Sequence, residues 1–333
     1  MDINPIKNWL PNAQKPIIIS GPCSAESREQ VITTCSKIAE CDKVSILRAG
    51  IWKPRTRPNS FEGVGEVGLS WLKEASELTG IPCIVEVANS QHVKAAFHAG
   101  IDMFWIGART TVNPFSVQEI ANALKGKDVP VFVKNPINPD LELWIGALER
   151  LNNAGVKKLG AIHRGFSTFD KTPFRNIPKW DIPIELKRQF PTLPLLSDPS
   201  HISGNRELVS MLSQKALDLD LDGLMIESHI NPSKALSDAE QQITPTELAA
   251  LCKQLIVRRK EVDDPQLTSM LFKLRKEIDL IDGDILEKLA ARFKIIEEIG
   301  EEKRLKGVTI LQVDRWDEII TTRKEVAAKL GLS

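Results

Sequence analysis

Neither sign of charge is in excess in this chain: 44 Lys and Arg stand against 44 Asp and Glu over 333 residues. A nucleic-acid coat or a polybasic membrane anchor needs a positive surplus, so both are excluded as general descriptions. No run approaches the roughly 18 consecutive apolar residues of a membrane span, and the polar start, Met1 to Pro16, lacks the apolar core of a secretory signal. Cysteines are few. Cys23, Cys35, Cys41, Cys83 and Cys252 are odd in number, scattered and without a CxxC pair, which is poor material for a disulfide framework and fits a reducing cytoplasm. Tyrosine is absent altogether, and no physical rule accounts for that. What is present, 42% hydrophobic and 26% charged residues, excludes disorder or collagen as a general description. At roughly 100–200 residues per domain, the length suggests one large domain plus a smaller one. The expectation is a cytoplasmic enzyme.

Short β-branched and apolar runs recur at barrel-like intervals, separated by helix-length amphipathic segments. Strands are expected near Pro16–Ser20, Ser45–Ala49, Pro82–Val87, Asp102–Gly107, Pro130–Lys134, Val156–Ile162, Leu193–Asp198 and Asp222–Glu227. Eight strands alternating with helices over about 250 residues make a (β/α)8 barrel. An open doubly wound sheet would show a GxGxxG turn directly after its first strand. The one match, Gly63-Val-Gly-Glu-Val-Gly68, comes well past the second strand and reads as a flexible loop.

At or just past the successive strand ends stand Cys23, Arg48, Glu86, Arg109, Lys134, Arg164, His201 and Glu227. Barrel active sites lie at the C-terminal face of the strands, so these side chains are expected to converge on one mouth. Arg48, Lys53, Arg55, Arg109, Lys134 and Arg164 would focus positive charge there in an otherwise neutral chain, which suits phosphates and carboxylates of small substrates. So many cations point to at least two anionic groups. A second constellation, Cys23, His201, Glu227 and Asp238, offers a thiolate, an imidazole and two carboxylates. That mixture suits Mn, Fe, Co or Zn better than Mg, although the four share no compact spacing motif.

Seven motifs occur in order: Gly21-Pro-Cys-Ser24, Lys53-Pro-Arg-Thr56 with Pro58-Asn-Ser-Phe-Glu-Gly63, Ile106-Gly-Ala-Arg-Thr-Thr111, Val133-Lys-Asn-Pro136, His163-Arg-Gly165, Ser197-Asp-Pro-Ser-His201 and Ile226-Glu-Ser-His229. Over about Lys15 to Leu255 the chain thereby resembles the type I beta branch of the 3-deoxy-D-arabino-heptulosonate 7-phosphate (DAHP) synthases. The resemblance implies a (β/α)8 barrel that uses a divalent metal, Mn as first choice, to condense phosphoenolpyruvate with erythrose 4-phosphate at the entry to aromatic amino acid synthesis. It places Cys23, His201, Glu227 and Asp238 on the metal, with Glu240 close to the last of these in sequence. Arg109, Lys134 and Arg164 fall on phosphoenolpyruvate, with Lys53 bridging toward it. Arg55 and Thr56 fall on the erythrose 4-phosphate end, and Arg48 and Glu86 support the polar network. His163 is read as a supporting residue, and His92, His98 and His229 as ordinary histidines. The related 3-deoxy-manno-octulosonate 8-phosphate synthases carry Lys-Ala-Asn-Arg where this chain has Lys53-Pro54-Arg55-Thr56, a difference that favours the four-carbon aldose. A Schiff-base aldolase through Lys134 and a non-catalytic sugar-phosphate sensor are the remaining readings.

The last barrel helix is expected at about Thr246–Arg259, closing a domain at residue 260, with a linker over 261–267. From Thr268 to about Lys306 no proline interrupts, and Leu271, Leu274, Ile278, Ile281, Ile285, Leu289, Ile296 and Ile299 draw an apolar stripe. A shorter helix follows at about Asp314–Leu330. Arg292 and Lys303 lie in register with the stripe and Arg275 one residue beyond Leu274. An unpartnered buried cation costs several kcal/mol, so such a seam is expected to bind an anion. Leu274-Arg-Lys-Glu-Ile-Asp279, Ala291-Arg292, Glu302-Lys303 and Val313-Asp-Arg-Trp316 resemble the all-helical chorismate mutases, in which two protomers intertwine. That resemblance puts Arg275, Arg292, Lys303 and Arg315 on chorismate or prephenate; the stripe, too long for one short partner helix, is expected to pair with its symmetry mate in a homodimer, and the place of these helices after the barrel suggests a feedback role. Trp316 stands where the family often has a carboxylate, and a third helix is missing before Ser333.

Overall fold

The computed structural model describes residues 1–10, 14–53, 60–169, 172–259 and 263–332. Its strands are β1 (Ile17–Gly21), β2 (Val44–Ala49), β3 (Cys83–Val87), β4 (Phe104–Ile106), β5 (Val131–Lys134), β6 (Leu159–His163), β7 (Leu195–Ser197) and β8 (Gly223–Glu227). All pair in parallel in chain order, and β8 closes on β1 from Ile17↔Gly223 to Gly21↔Glu227. The helices of this part are α1 (Arg28–Ala39), α2 (Val67–Thr79), α3 (Ser90–His98), α4 (Ala108–Thr111), α5 (Pro114–Leu124), α6 (Leu141–Asn153), α7 (Asp181–Gln189), α8 (Pro199–Ser203), α9 (Val209–Asp218) and α10 (Pro245–Gln254). Beyond them lie α11 (Pro265–Leu305) and α12 (Val313–Lys329). The first four N–H groups of a helix lack partners within it, and the sequence supplies them. Asn113, Asp198, Thr244 and Asp264 each accept bonds from the first turn, and each is followed by a proline, preorganised for the first helical position.

The alternation of strand side chains builds two cores. Outward residues such as Ile18, Leu47, Val85, Phe104, Val133, Ala161 and Leu224 pack against the helices. Inward residues, Ile17, Ile19, Ile46, Ile84, Met103, Trp105, Phe132, Ile162, Leu196 and Met225, fill the barrel, with Ile6, Trp9 and Leu10 packed against them. Gly160 makes room inside, since a Cβ there would lie 2.4 Å from two ring carbons of Phe132. The barrel is therefore plugged along its axis, and only its strand ends are free for chemistry.

Two expectations about the barrel change. The last barrel helix stops at Gln254 rather than near Arg259, because Leu255 takes extended backbone and the Gln214 side chain on α9 bonds both the N–H and the carbonyl of Ile256. The Gly63–Gly68 stretch is pinned rather than loose. A Cβ at Gly63 would fall 2.1 Å from the Ile51 carbonyl oxygen, Lys53 N–H donates to Glu62, and Val67 and Gly68 already belong to α2.

The chain divides into two compact units, Met1–Arg258 and Arg259–Ser333. In the second, α11 begins at Pro265, inside the segment expected to be a linker, because Asp264 accepts from the Gln266 and Leu267 N–H groups. At 1.5 Å per residue it is about 60 Å long. None of its residues is buried, and Ile278, Ile281 and Ile285 are 50–57% exposed. No helix among the described residues is long and apolar enough to cross a membrane.

Candidate active site

The inward series on most strands ends in a polar side chain one step above the hydrophobic plug. It reads Ile46 then Arg48, Ile84 then Glu86, Phe132 then Lys134, Ile162 then Arg164, Leu196 then Asp198, and Met225 then Glu227. Cys23 continues the series Ile17, Ile19, Gly21 on β1. On β4 the step falls on Trp105 itself, whose Nε1–H donates to Glu86 at 3.0 Å and whose ring lies beneath Arg48, 4.8 Å away, and near the Lys134 ammonium, 5.9 Å away.

Cys23, Glu227 and Asp238 present a sulfur and two carboxylate oxygens all within 4.8 Å of one another. Cys23 Sγ is 3.4 Å from Asp238 Oδ2, whereas Glu240 is exposed. His201 Nε2 lies 3.8 Å from Glu227 Oε1, beside this group, while its Nδ1 is 2.8 Å from Asp198 Oδ2. So much buried acid requires counter-charge. Arg48, 1% exposed, donates to Glu227 Oε1 at 3.0 Å and to the Cys23 carbonyl at 3.1 Å. Lys53 Nζ is 3.1 Å from both the Cys23 carbonyl and its sulfur. Burial alone would make Glu227 and Asp238 weak acids, but His201, the arginines and Lys53 outweigh it and hold both below their ordinary range. The Cys23 thiol, by contrast, is pushed up to about 12 by burial and by Glu227, and burial holds His201 below its ordinary value. A thiol and an imidazole beside two ionised carboxylates are a donor set that would suit a divalent transition ion, to which the thiol would yield its proton.

Beside these groups is a cationic wall. Lys134, 4% exposed, donates to Asp198 at 2.6 Å, so Asp198 bridges it to His201. Burial opposes its ionisation, but these two partners hold Asp198 well below the usual carboxylate range. Arg164 donates to Asn176 Oδ1 at 2.6 Å, and burial lowers its pKa to about 10. Arg109 stands exposed on α4, directly after β4. A cavity of about 240 Å³ opens beside Lys53, Glu86, Trp52 and His92, and another of about 450 Å³ beside Arg175 and Asp238. A third, also about 450 Å³, lies at the opposite end of the barrel near Lys15 and Pro82 and holds none of these groups.

Arg55 and Thr56 lie outside the described residues. Asp198, Arg175, Asn176 and Gln241 join the site without having been singled out from the sequence. Asp198 was within reach, since the inward parity of Leu196 points to it rather than to His201. Arg175 and Asn176 stand in an irregular segment and Gln241 in a single 3-10 turn, too short for a periodicity to be read. In the second unit Lys303 donates to Ile310 O and Gln312 Oε1, both at 3.0 Å, and Arg315 pairs with Glu318 at 2.6 Å. Arg292 lines an apolar groove with Ile281, Ile285 and Leu289, and Arg275 is exposed.

Residues 274–333 match the chorismate mutase type II family. The phospho-2-dehydro-3-deoxyheptonate aldolase of Thermotoga maritima is 35% identical over 248 residues, 74% of this chain and 70% of that protein. A 2-dehydro-3-deoxyphosphooctonate aldolase from Desulfotalea psychrophila is 29% identical, covering 76% of this chain and 93% of its own. The crystal structure of phospho-2-dehydro-3-deoxyheptonate aldolase (DAHP synthase) from Thermotoga maritima superposes with a TM-score of 0.64 at 32% identity, over 72% of this chain and 67% of that one. A truncated form of 3-deoxy-D-arabino-heptulosonate 7-phosphate synthase from the same organism gives 0.62 at 30% identity, over 72% and 84%. With residues 9–263 matching the family throughout the barrel, the chain belongs to the DAHP synthetase I family and carries a chorismate mutase type II segment C-terminal to the barrel in sequence.

Proposed function

We propose that the barrel condenses phosphoenolpyruvate, erythrose 4-phosphate and water to DAHP and phosphate, with a divalent metal, Mn first among Mn, Fe, Co and Zn, held by Cys23, His201, Glu227 and Asp238. The observation that carries this reading is the convergence of the Cys23, Glu227 and Asp238 donor atoms within 4.8 Å against a wall of cations. When bound, the ion supplies Lewis-acid polarisation of the aldehyde of the second substrate. Lys134 and Arg164, with Arg109 at the rim, hold the carboxylate and phosphate of phosphoenolpyruvate so that its C3 faces that aldehyde. Lys53 stands between the metal group and this anion site. Arg55 and Thr56 take the phosphate of the aldose, and Glu86 and Arg48 steady the polar floor. Carbon–carbon bond formation at C3 leaves positive character at C2, where water adds, and the phosphate then departs by C–O cleavage with its charge met by the same cations. Holding both substrates in one mouth converts a two-body encounter into an effectively unimolecular step.

The test is phosphate release from the two substrates with and without chelator. Chelation should abolish turnover, Mn(II) should restore it, and Cys23→Ala should stay folded but behave as the chelated protein. Full activity of Cys23→Ala in chelator would sink the metal reading. Arabinose 5-phosphate in place of erythrose 4-phosphate separates the octulosonate alternative, which the 29%-identical relative keeps in view.

We further propose that the second unit binds chorismate or prephenate through Arg275, Arg292, Lys303 and Arg315, as mutase, as feedback sensor or as both, and that the chain pairs with a second copy along α11. Unpaired thiols throughout the described residues accord with a cytoplasmic enzyme.

A further inference from the structure

Between β6 and α7 the chain makes a stitched detour. Phe166 and Ile177 exchange backbone hydrogen bonds of 2.8 Å, and the N–H groups of Arg175 and Asn176 donate to the carbonyls of Ser203 and Ile202, fastening the segment to α8, which carries His201. Two left-handed glycines clear its berth. A Cβ on Gly165 (φ +75°) would meet the Asn176 carbonyl oxygen at 2.7 Å, and one on Gly204 (φ +66°) the Arg175 Cβ at 2.5 Å. Asn176, buried, accepts from Arg164 and donates to the His201 carbonyl, both at 2.6 Å. Arg175 is thereby delivered to the carboxylates. Its NH1 donates to Asp238 Oδ1 at 3.1 Å and to Gln241 Oε1 at 2.7 Å, and Gln241 passes the contact on through its amide, donating to Glu227 Oε2 at 2.7 Å.

The division of oxygens is informative. On each carboxylate one oxygen is tied by this pair. The other, Asp238 Oδ2 or Glu227 Oε1, faces Cys23 or His201, and Glu227 Oε1 also accepts from Arg48. Asp238 sits in an irregular segment at φ +47°, with no strand to hold its orientation. Two carboxylates this close repel one another, and a fixed cation behind Asp238 counters that repulsion. We infer that Arg175, with Gln241 as its relay, is a positioning residue that presents Asp238 and Glu227 to the metal in one orientation each, so that metal affinity depends on a group that never touches the ion.

This rests on the metal reading of Cys23, His201, Glu227 and Asp238, and the experiment separates the two. Mn(II) affinity of the full chain is measured by competition with a chromophoric chelator, without substrates. Loss of such an orienting partner typically weakens binding roughly 10- to 100-fold. Arg175→Met should fall in that range, and Arg175→Lys, which restores a donor and the charge, should recover part of it. Arg206→Met removes a neighbouring arginine that, among the described residues, donates to the Ala239 carbonyl alone and should stay within about two-fold of wild type. If wild type and Cys23→Ser bind Mn(II) alike, the metal reading fails. If Cys23→Ser loses binding while Arg175→Met keeps wild-type affinity, or if Arg206→Met loses as much as Arg175→Met, the assignment of Arg175 is overturned.

Discussion

His163 shows how much a single buried ring can contribute to the pH response of this fold. It is fully buried against Phe166 and Trp180, and Nε2–H donates to the Pro178 carbonyl at 2.6 Å, so the ring is neutral with its proton on Nε2. Nδ1 has no hydrogen-bond partner among the described residues. Burial lowers the imidazole from its ordinary 6.5 to about 3. In the unfolded chain the ring takes a proton near its ordinary value, whereas the folded ring refuses it until the pH has fallen much further. Its contribution is therefore complete above the unfolded pKa and is lost as the pH falls toward the folded one, at about 1.4 kcal/mol per pH unit. His163→Gln retains an N–H donor but has nothing to titrate. Denaturant unfolding at a series of pH values should show the wild type losing stability relative to His163→Gln at about that slope between about pH 6 and pH 4. A constant difference between the two would refute the assignment.

At the scale of the element, strand alternation carries most of what could be read in advance. A one-residue slip in any strand would exchange its core face for its lumen face, so the apolar residues themselves fix which side chain tops each strand. Arg48, Glu86, Lys134, Arg164 and Glu227 were legible on that account, and Asp198 would have been had parity been followed on β7. Arg175 and Gln241 were not, because their positions depend on where a loop is stitched, and that stitching uses backbone groups of Ser203 and Ile202 that have no side-chain signature. The same alternation makes the barrel interior intolerant at Gly160, which faces the rigid ring of Phe132. Gly160→Ala should destabilise the barrel by roughly 1–3 kcal/mol, the usual cost of overpacking, and adding Phe132→Leu should recover more than half of that loss. Thermal unfolding of the two variants checks it, and a single variant as stable as wild type would show that the ring has room to move.

At the scale of the whole molecule, the two units solve the problem of apolar surface differently. The barrel hides its apolar residues in two concentric cores, whereas α11 leaves Leu274, Ile278, Ile281, Ile285, Leu289, Ile296 and Ile299 between 42% and 57% exposed. Continuous apolar surface of that extent marks an interaction site, and a helix about 60 Å long is matched best by another of equal length. Under the proposed pairing of α11 with a second copy, charges placed in the stripe, Ile285→Glu with Leu289→Glu, should halve the sedimentation mass while leaving DAHP formation in place. An unchanged mass would overturn the pairing along α11.

Trp105 and the absence of tyrosine together make the protein its own optical probe. With no phenol in the chain, emission excited beyond the phenylalanine absorption band comes from tryptophan alone. Of the seven indoles, Trp105 forms the floor of the candidate site, hydrogen-bonded to Glu86 and facing Arg48 and Lys134. An anion that draws on those cations alters the electric field across that indole, so arrival of a ligand is written directly into the colour and intensity of the protein's own light.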